Sequence, residues 1–305
     1  MIIPRQVFKL SGHKGPVYAL EQGADPWQIF SAGSDRIVAE WDLRNPAEGK
    51  VLVKATDLVY ALRYLHEDQK LLIGNGSGGM HIVNLQTRQE ERLLQLHQSG
   101  IFFIGHHPVH QLIFTLAADG TCAVLQQQDL TLIRSMKFSE GKLRSISFHP
   151  DHKSCAIGCG DGSIMIFSLP ELLPLHHWQA HQEGFSVNTV CFTPDGAVLL
   201  SGSRDAHLNR YATKDYSLLE SIPAHNYAIY DLAFSPDNLL LASASRDKTV
   251  KIWDANTMEL QHRIDRDKFQ GHQHSVNKLL WTTYQNMLLS AGDDRNVMGW
   301  SLSEA

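Results

Sequence analysis

Short apolar runs alternate with turn-forming residues along the whole chain, and the spacing of an amphipathic helix is almost absent. Segments such as "VYALEQ" (17–22), "VNTVCFTPDG" (187–196) and "IYDLAFSP" (229–236) place apolar residues at every second position, the period of a half-buried strand. Turns of the type "SPDN" (235–238), "TPDG" (193–196) and "HPDH" (149–152) follow them. More continuous apolar strands such as "LLLASAS" (239–245) come next, then a tight turn, then a third strand such as "TVKIWDA" (249–255). A fourth, "LLESIPAH" (218–225) or "QVFKLSGH" (6–13), ends on a histidine. Four short strands with a turn signal about every ten residues predict antiparallel β-structure.

The pattern is periodic. Equivalent turns fall at Asp35, Ser77, Asp119, Asp161, Asp205, Asp247 and Asp294, at intervals of 42, 42, 42, 44, 42 and 47 residues. Six places after each stands an apolar or aromatic residue: Trp41, Val83, Leu125, Phe167, Tyr211, Trp253 and Trp300. A histidine precedes the turn by 22 residues in four units (His13, His97, His225, His272) and by 24 in another (His181), while Ala55 and Ser139 fill the remaining places. Self-similarity at about 40 residues is the signature of a repeat architecture, each unit one supersecondary element that needs its neighbours to bury its faces.

These residues resemble the WD40 repeat family over the whole chain, with "SGH" (11–13), "WDL" (41–43), "SPD" (235–237) and "WDA" (253–255) as its signature pieces. The resemblance implies an all-β, seven-bladed WD40 β-propeller, a single domain over residues 1–305. The last unit ends on its third strand and the first begins after a spare strand, so residues 5–10 should complete the seventh blade and leave no open edge there. The resemblance also implies structural tetrads: His13, Ser31, Asp35 and Trp41; His225, Ser243, Asp247 and Trp253; His272, Ser290, Asp294 and Trp300. The Asp accepts from the His ring and the bond chain ends on the indole N–H, satisfying buried polar groups and holding the hairpin register. The third and fifth units keep His, hydroxyl and Asp but have Leu125 and Tyr211 for Trp, and the second, with Ala55, Ile73, Ser77 and Val83, has no such network. A Ser-His-Asp set that recurs in unit after unit is architecture, because a catalytic triad needs one site.

Composition narrows the function. The net charge of -5 argues against nucleic-acid binding, which wants a basic face. The start, "MIIPRQVFKL", is not a signal peptide, and no apolar run is long enough to span a membrane. Four cysteines (Cys122, Cys155, Cys159, Cys191) in apolar contexts read as reduced packing residues of a cytoplasmic protein. His107, His110, His149 and His152 recur in equivalent turns, where they replace "SPD" residues; they lack the spacing of a metal site. Neither a metal nor a cofactor is expected, and an enzyme is not expected either, since no converging carboxylates or phosphate loop are found.

By resemblance, partners dock on the face where the fourth-to-first and second-to-third strand loops emerge. The positions mapped there include Tyr18, Tyr60, Phe102, Arg144 and Tyr230 after the first apolar residue of the first strand, and Arg204 and Arg246 before the Asp turn. Asn188 and Asn277 occupy the first of these positions in the fifth and seventh units. The 44-residue interval adds "HQEGFS" with Phe185, and the 47-residue interval adds residues to "RIDRDKFQGH". Tyr, Phe and Arg dominate protein interface hot spots. The expected function is a non-catalytic scaffold that binds a protein or peptide segment, with arginines suited to an acidic or phosphorylated one. A propeller enzyme and a nucleic-acid binder through Arg144, Arg204 and Arg246 are the alternatives.

Overall fold

The computed structural model describes residues 2–304 and consists of seven four-stranded antiparallel sheets. Each sheet is a blade, and in blades 1 to 6 the innermost strand comes first in the chain. The innermost strands are Val17–Gln22, Val59–Leu65, Ile101–His107, Ser145–Phe148, Val187–Phe192, Ile229–Phe234 and Val276–Thr282, for blades 1 to 7. The outermost strands of blades 1 to 6 are Gly49–Lys54, Gln89–Gln95, Leu132–Lys137, Pro174–Gln179, Leu218–Pro223 and Leu260–Ile264. The seventh blade takes Ile2–Ser11 as its outermost strand, paired antiparallel with Asn296–Glu304, as the sequence predicts. Among the described residues no helix is long and apolar enough to cross a membrane.

Burial grades across each blade and explains the two kinds of apolar pattern. Second strands such as Leu112–Ala117 and Leu240–Ser245 are buried at every position. Strands buried at every position read as near-continuous small and apolar residues rather than as alternation. Outermost strands such as Leu132–Lys137 and Leu218–Pro223 are mostly exposed.

Chain contacts divide the fold into two compact units. One holds blades 1, 6 and 7 and most of blade 2; the other holds blades 3, 4 and 5. In the first, Val17, Leu20, Ile29 and Trp41 of blade 1 pack with Leu10, Leu289 and Val297 of blade 7, and Ile252 and Ile264 of blade 6 pack with Leu279 and Trp300. In the second, Phe114, Leu116 and Val124 of blade 3 pack with Ile146, Cys155 and Phe167 of blade 4. Within each unit the hydrophobic core thus lies in slabs between consecutive blades.

The two lengthened repeats have local causes. "HQEGFS" turns at Gly184, whose φ of 77° is one that L-residues rarely adopt, and Phe185 N–H bonds back to the Gln182 carbonyl at 3.0 Å. "RIDRDKFQGH" folds into a single turn of helix, Arg266–Phe269, capped by the Asp265 carboxylate accepting from Lys268 N–H at 2.9 Å.

Candidate functional site

In blade 1, Trp41 Nε1 donates to Ser31 Oγ at 2.8 Å, Ser31 Oγ lies 2.8 Å from His13 Nε2, and His13 Nδ1 lies 2.9 Å from Asp35. The indole is a donor only, which sets the direction of the chain: Trp N–H to Ser, Ser O–H to His Nε2, and His Nδ1–H to the carboxylate. Blade 7 repeats it, with Trp300 to Ser290 at 2.8 Å, Ser290 to His272 at 2.8 Å and His272 to Asp294 at 2.9 Å. In blade 6, Trp253 donates to Ser243 at 2.9 Å, Asp247 accepts from Thr249, and His225 is buried. Ser31, Ser243 and Ser290 are fully enclosed, so none is an accessible nucleophile.

The degenerate blades solve the same problem differently. In blade 5, His181 bonds Asp205 and Ser201, while Tyr211 OH donates to the Ala180 carbonyl. In blade 3 the Thr121 hydroxyl stands between His97 and Asp119: it is 2.6 Å from His97 Nδ1 and donates to Asp119 at 2.6 Å. Blade 2 corrects the sequence reading, which leaves it without a network. His81, buried on the third strand, lies 3.1 Å from Asn75 Nδ2 and 2.9 Å from Glu90 Oε1. The polar centre has moved from the preceding loop onto the strand itself, at a position that the His-to-Asp spacing does not probe.

The residues expected to meet a partner fall into clusters within each unit. In the unit of blades 3 to 5, the Arg144 guanidinium lies 4.4 Å above the centre of the Phe102 ring, with Lys142 Nζ at 5.7 Å from the same ring. The exposed Arg204 lies 5.7 Å from the Phe185 ring, which the "HQEGFS" insertion carries. Cations over aromatic faces keep their charge outward while their stems cover apolar surface. Asn188, mapped to the same face, is instead buried and donates to the Ile229 carbonyl at 2.8 Å, so it holds the framework. In the other unit, the half-buried Tyr18 and Tyr60 rings are 5.2 Å apart, Tyr230 is half-buried and Arg246 is exposed. Burial, and then the Asp293 carboxylate, raise the Tyr18 phenol above its ordinary value. Asn277 donates to Asp293 at 2.8 Å and to the Val17 carbonyl at 3.0 Å.

Sequence reasoning missed Lys142, whose signal is only its place two residues before Arg144 in a loop of another blade from Phe102. It also missed the charges of the innermost strands. Asp231 Oδ2 accepts from Leu279 N–H at 2.9 Å and from Lys278 Nζ at 2.9 Å, and Glu21 accepts from Tyr64 N–H at 3.1 Å with Arg63 at 3.4 Å. Each carboxylate thus ties one blade to the next through a backbone amide. Burial raises the Glu21 carboxyl above its usual value despite Arg63 and Tyr64 N–H.

The rim histidines do gather, though not all four. His107 stacks on His110 at 4.7 Å and meets the edge of His152 at 5.2 Å, whereas His149 turns to Phe192 and the Gly196 carbonyl. Among the described residues, no three His, Cys, Asp or Glu side chains are disposed to hold a metal ion. His107 is 1% exposed, accepts from His110 N–H at Nδ1, and has no partner at Nε2. Burial, and then the neighbouring His110 and His152, press its ring down to about 4. Unfolded, the ring protonates near 6.5. As pH falls below 6.5 the unfolded chain therefore binds a proton that the native protein refuses, and stability drains away until about pH 4. The loss attributable to His107 should reach about 3 kcal/mol. Urea melts of the protein and of His107→Leu at pH 7.5 and 4.5 check this: the variant should lose less on acidification, and an equal loss in both would refute it.

Burial likewise pushes the Cys155 and Cys159 thiols up to about 12 and raises that of Cys122, leaving them unreactive packing groups.

The sequence pattern described as "WD domain, G-beta repeat" matches residues 130–168, 172–209, 216–254 and 265–301, together half of the chain. The chain belongs to the WD40 family. The first three matches each open on the outermost strand of one blade and close on the third strand of the next. Sequence repeat and WD40 blade are thus offset by one strand, the same offset by which Ile2–Ser11 completes blade 7. The WD40 β-propeller domain of Doa1 superposes with a TM-score of 0.86 at 16% identity, covering 99% of this chain and 98% of that one. With its seven sheets, this WD40 protein is an all-β, seven-bladed propeller. Human Striatin-3 is 24% identical over 258 residues, 74% of this chain and 32% of its own length. Human Striatin-4 is 23% identical over 233 residues, 70% and 31% respectively. The chain spans about a third of the length of these curated relatives.

Proposed function

We propose that this WD40 chain is a non-catalytic scaffold, one domain over residues 1–305, that binds a protein or peptide segment through the loops carrying its aromatic and arginine clusters. One observation carries the reading: Arg144 and Arg204, both on loops, are held over Phe102 of an innermost strand and Phe185 of a loop, and neither pair belongs to a buried slab. A guanidinium stacked in this way is pre-organised, so little rotamer freedom remains to be lost on binding a carboxylate or phosphate. The partner segment is acidic or phosphorylated. In the other unit, Arg246 offers charge and Tyr18, Tyr60 and Tyr230 offer apolar contact area of the same kind. Cys122, Cys155 and Cys159 are buried and form no disulfide, which suits a reducing compartment, and we place the protein in the cytoplasm.

The double substitution Arg204→Ala and Arg246→Ala tests this. Both side chains are exposed, so the melting temperature should stay within a degree or so of the parent. Recovery of partners in affinity purification followed by mass spectrometry should fall sharply, as expected for a loss of roughly 2 kcal/mol or more. Unchanged partners at unchanged yield would sink the proposal.

A further inference from the structure

The loop that crosses from blade 3 to blade 4 turns two cations toward one ring. It runs from the outermost strand Leu132–Lys137 of blade 3 to the innermost strand Ser145–Phe148 of blade 4. Leu143 is fully buried, and its N–H bonds to the Ala117 carbonyl at 3.0 Å, which fixes the loop. With Leu143 turned inward at the mouth of a strand, its two neighbours turn the other way. Lys142 and Arg144 both come to Phe102, at 5.7 and 4.4 Å from the centre of its ring. A glycine makes room for the loop: a Cβ on Gly160 would lie 2.5 Å from the Lys142 amide nitrogen. Gly160 stands immediately before its Asp turn, where blades 5 and 6 carry Arg204 and Arg246. Blade 4 thus lacks the turn arginine, and the loop from blade 3 lies over that position with a lysine.

The carboxylates of the adjoining loop and turns are taken up locally. Glu140 accepts from Lys137 Nζ at 2.7 Å. Asp119 accepts from Gln98 N–H at 3.0 Å and from the Thr121 hydroxyl at 2.6 Å. Asp161 accepts from the N–H and hydroxyl of Ser163, at 3.0 and 2.7 Å. The exposed Lys142 makes no ion pair among the described residues. We infer that Phe102, Lys142 and Arg144 form a subsite for a phosphorylated side chain of the partner segment, in preference to a carboxylate. The inference rests on the function proposed above and names the anion this one cluster takes. A phosphate monoester carries about −1.5 to −2 charges at neutral pH and three acceptor oxygens. The Arg144 fork takes two of them side by side, and the Lys142 ammonium, on its flexible stem, takes the third. A carboxylate has one charge and two oxygens, so it satisfies the fork and leaves Lys142 without a counter-ion. The Phe185 ring, by contrast, holds the single cation Arg204, which one carboxylate neutralises.

The test passes three degenerate nonapeptide libraries over the immobilised full chain, with phosphothreonine, glutamate or threonine fixed at the centre. The phosphothreonine library should be retained at least tenfold more than the threonine library and at least fivefold more than the glutamate library. Lys142→Ala should bring phosphothreonine retention down to the glutamate level, and Lys142→Arg should keep at least half of the preference. Because Lys142 is exposed, both variants should melt with the parent. Arg204→Ala should lower phosphothreonine and glutamate retention by the same factor. Equal retention of the phosphothreonine and glutamate libraries, both above threonine, overturns the subsite and leaves the acidic-segment reading standing. Retention of neither above threonine overturns both. A phosphate preference that survives Lys142→Ala overturns the assignment to this cluster. Saturable, Lys142-dependent binding of inositol hexakisphosphate without a phosphothreonine preference puts the phosphate on a small molecule and overturns the peptide occupant.

Discussion

Deletion of residues 2–11 is expected to abolish cooperative folding of this WD40 protein, or to lower its melting temperature by well over ten degrees. The strand they form pairs with Asn296–Glu304 along its length and supplies the outer wall of blade 7. Leu10 is 1% exposed, in the slab that also holds Val297 and Trp41. Phe8 lies over Gly299, so closely that a Cβ there would collide with its ring, and the register shifts between Gln6 and Phe8 at that point. Loss of a buried leucine alone costs about 2–5 kcal/mol, and a phenylalanine about 3–5. Together they approach the whole stability of an ordinary domain, about 5–15 kcal/mol. Leu10→Ala gives a milder reading of the same contact, with an expected loss of about 3 kcal/mol. Calorimetry and urea melts measure both, and a truncated protein that melts within a few degrees of the parent would show that blade 7 does not need this strand.

Asp294→Ala should be the most damaging single tetrad substitution, at about 3 kcal/mol. The carboxylate accepts from His272 Nδ1 at 2.9 Å, from Gln273 N–H at 3.1 Å and from Asn296 N–H at 3.3 Å. Burial pushes its pKa up, but the bonds from His272 and the two amides outweigh that and hold the carboxyl below its usual value. Its contribution is therefore complete above the unfolded pKa near 3.9 and is lost as pH falls through the native one. Removing the side chain leaves a buried imidazole N–H and two amides without their acceptor, while the Trp300–Ser290 bond survives. Ser77→Ala, at the equivalent turn position of blade 2, should cost under about 0.5 kcal/mol, because the side chain is exposed and the blade's polar centre is His81. Comparable urea midpoints for the two variants would refute the assignment of Asp294 as the anchor of its blade.

What could be read in the chain beforehand divides along the range of the interactions. The period of about 42 residues, the four strands per unit and the completion of blade 7 by the first strand are legible because each repeat carries its own strand alternation and turn residues. The tetrads of blades 1 and 7 are legible for the same reason. His13, Ser31, Asp35 and Trp41 lie within 28 residues of one another, and hairpin geometry converts those offsets into contacts. The substitute network of Asn75, His81 and Glu90 is equally local but follows another offset, so a search by family spacing passes over it.

The remaining features belong to the packing of blade on blade. Phe102 and Arg144 stand 42 residues apart, and Phe185 and Arg204 stand 19 apart, with nothing in either segment to say that ring and guanidinium meet. Asn188 and Tyr230 share a repeat position, yet the first is buried on the Ile229 carbonyl and the second is not. His107, His110, His149 and His152 look alike in sequence, and the structure gathers three of them while sending the fourth to Phe192. Sequence alone determined the strands, their order and the tetrad bonds of blades 1 and 7, since these depend on residues a hairpin apart. Only the tertiary structure decided which side chains are buried and which rings and cations meet, since these depend on the neighbouring blade that a single repeat does not encode.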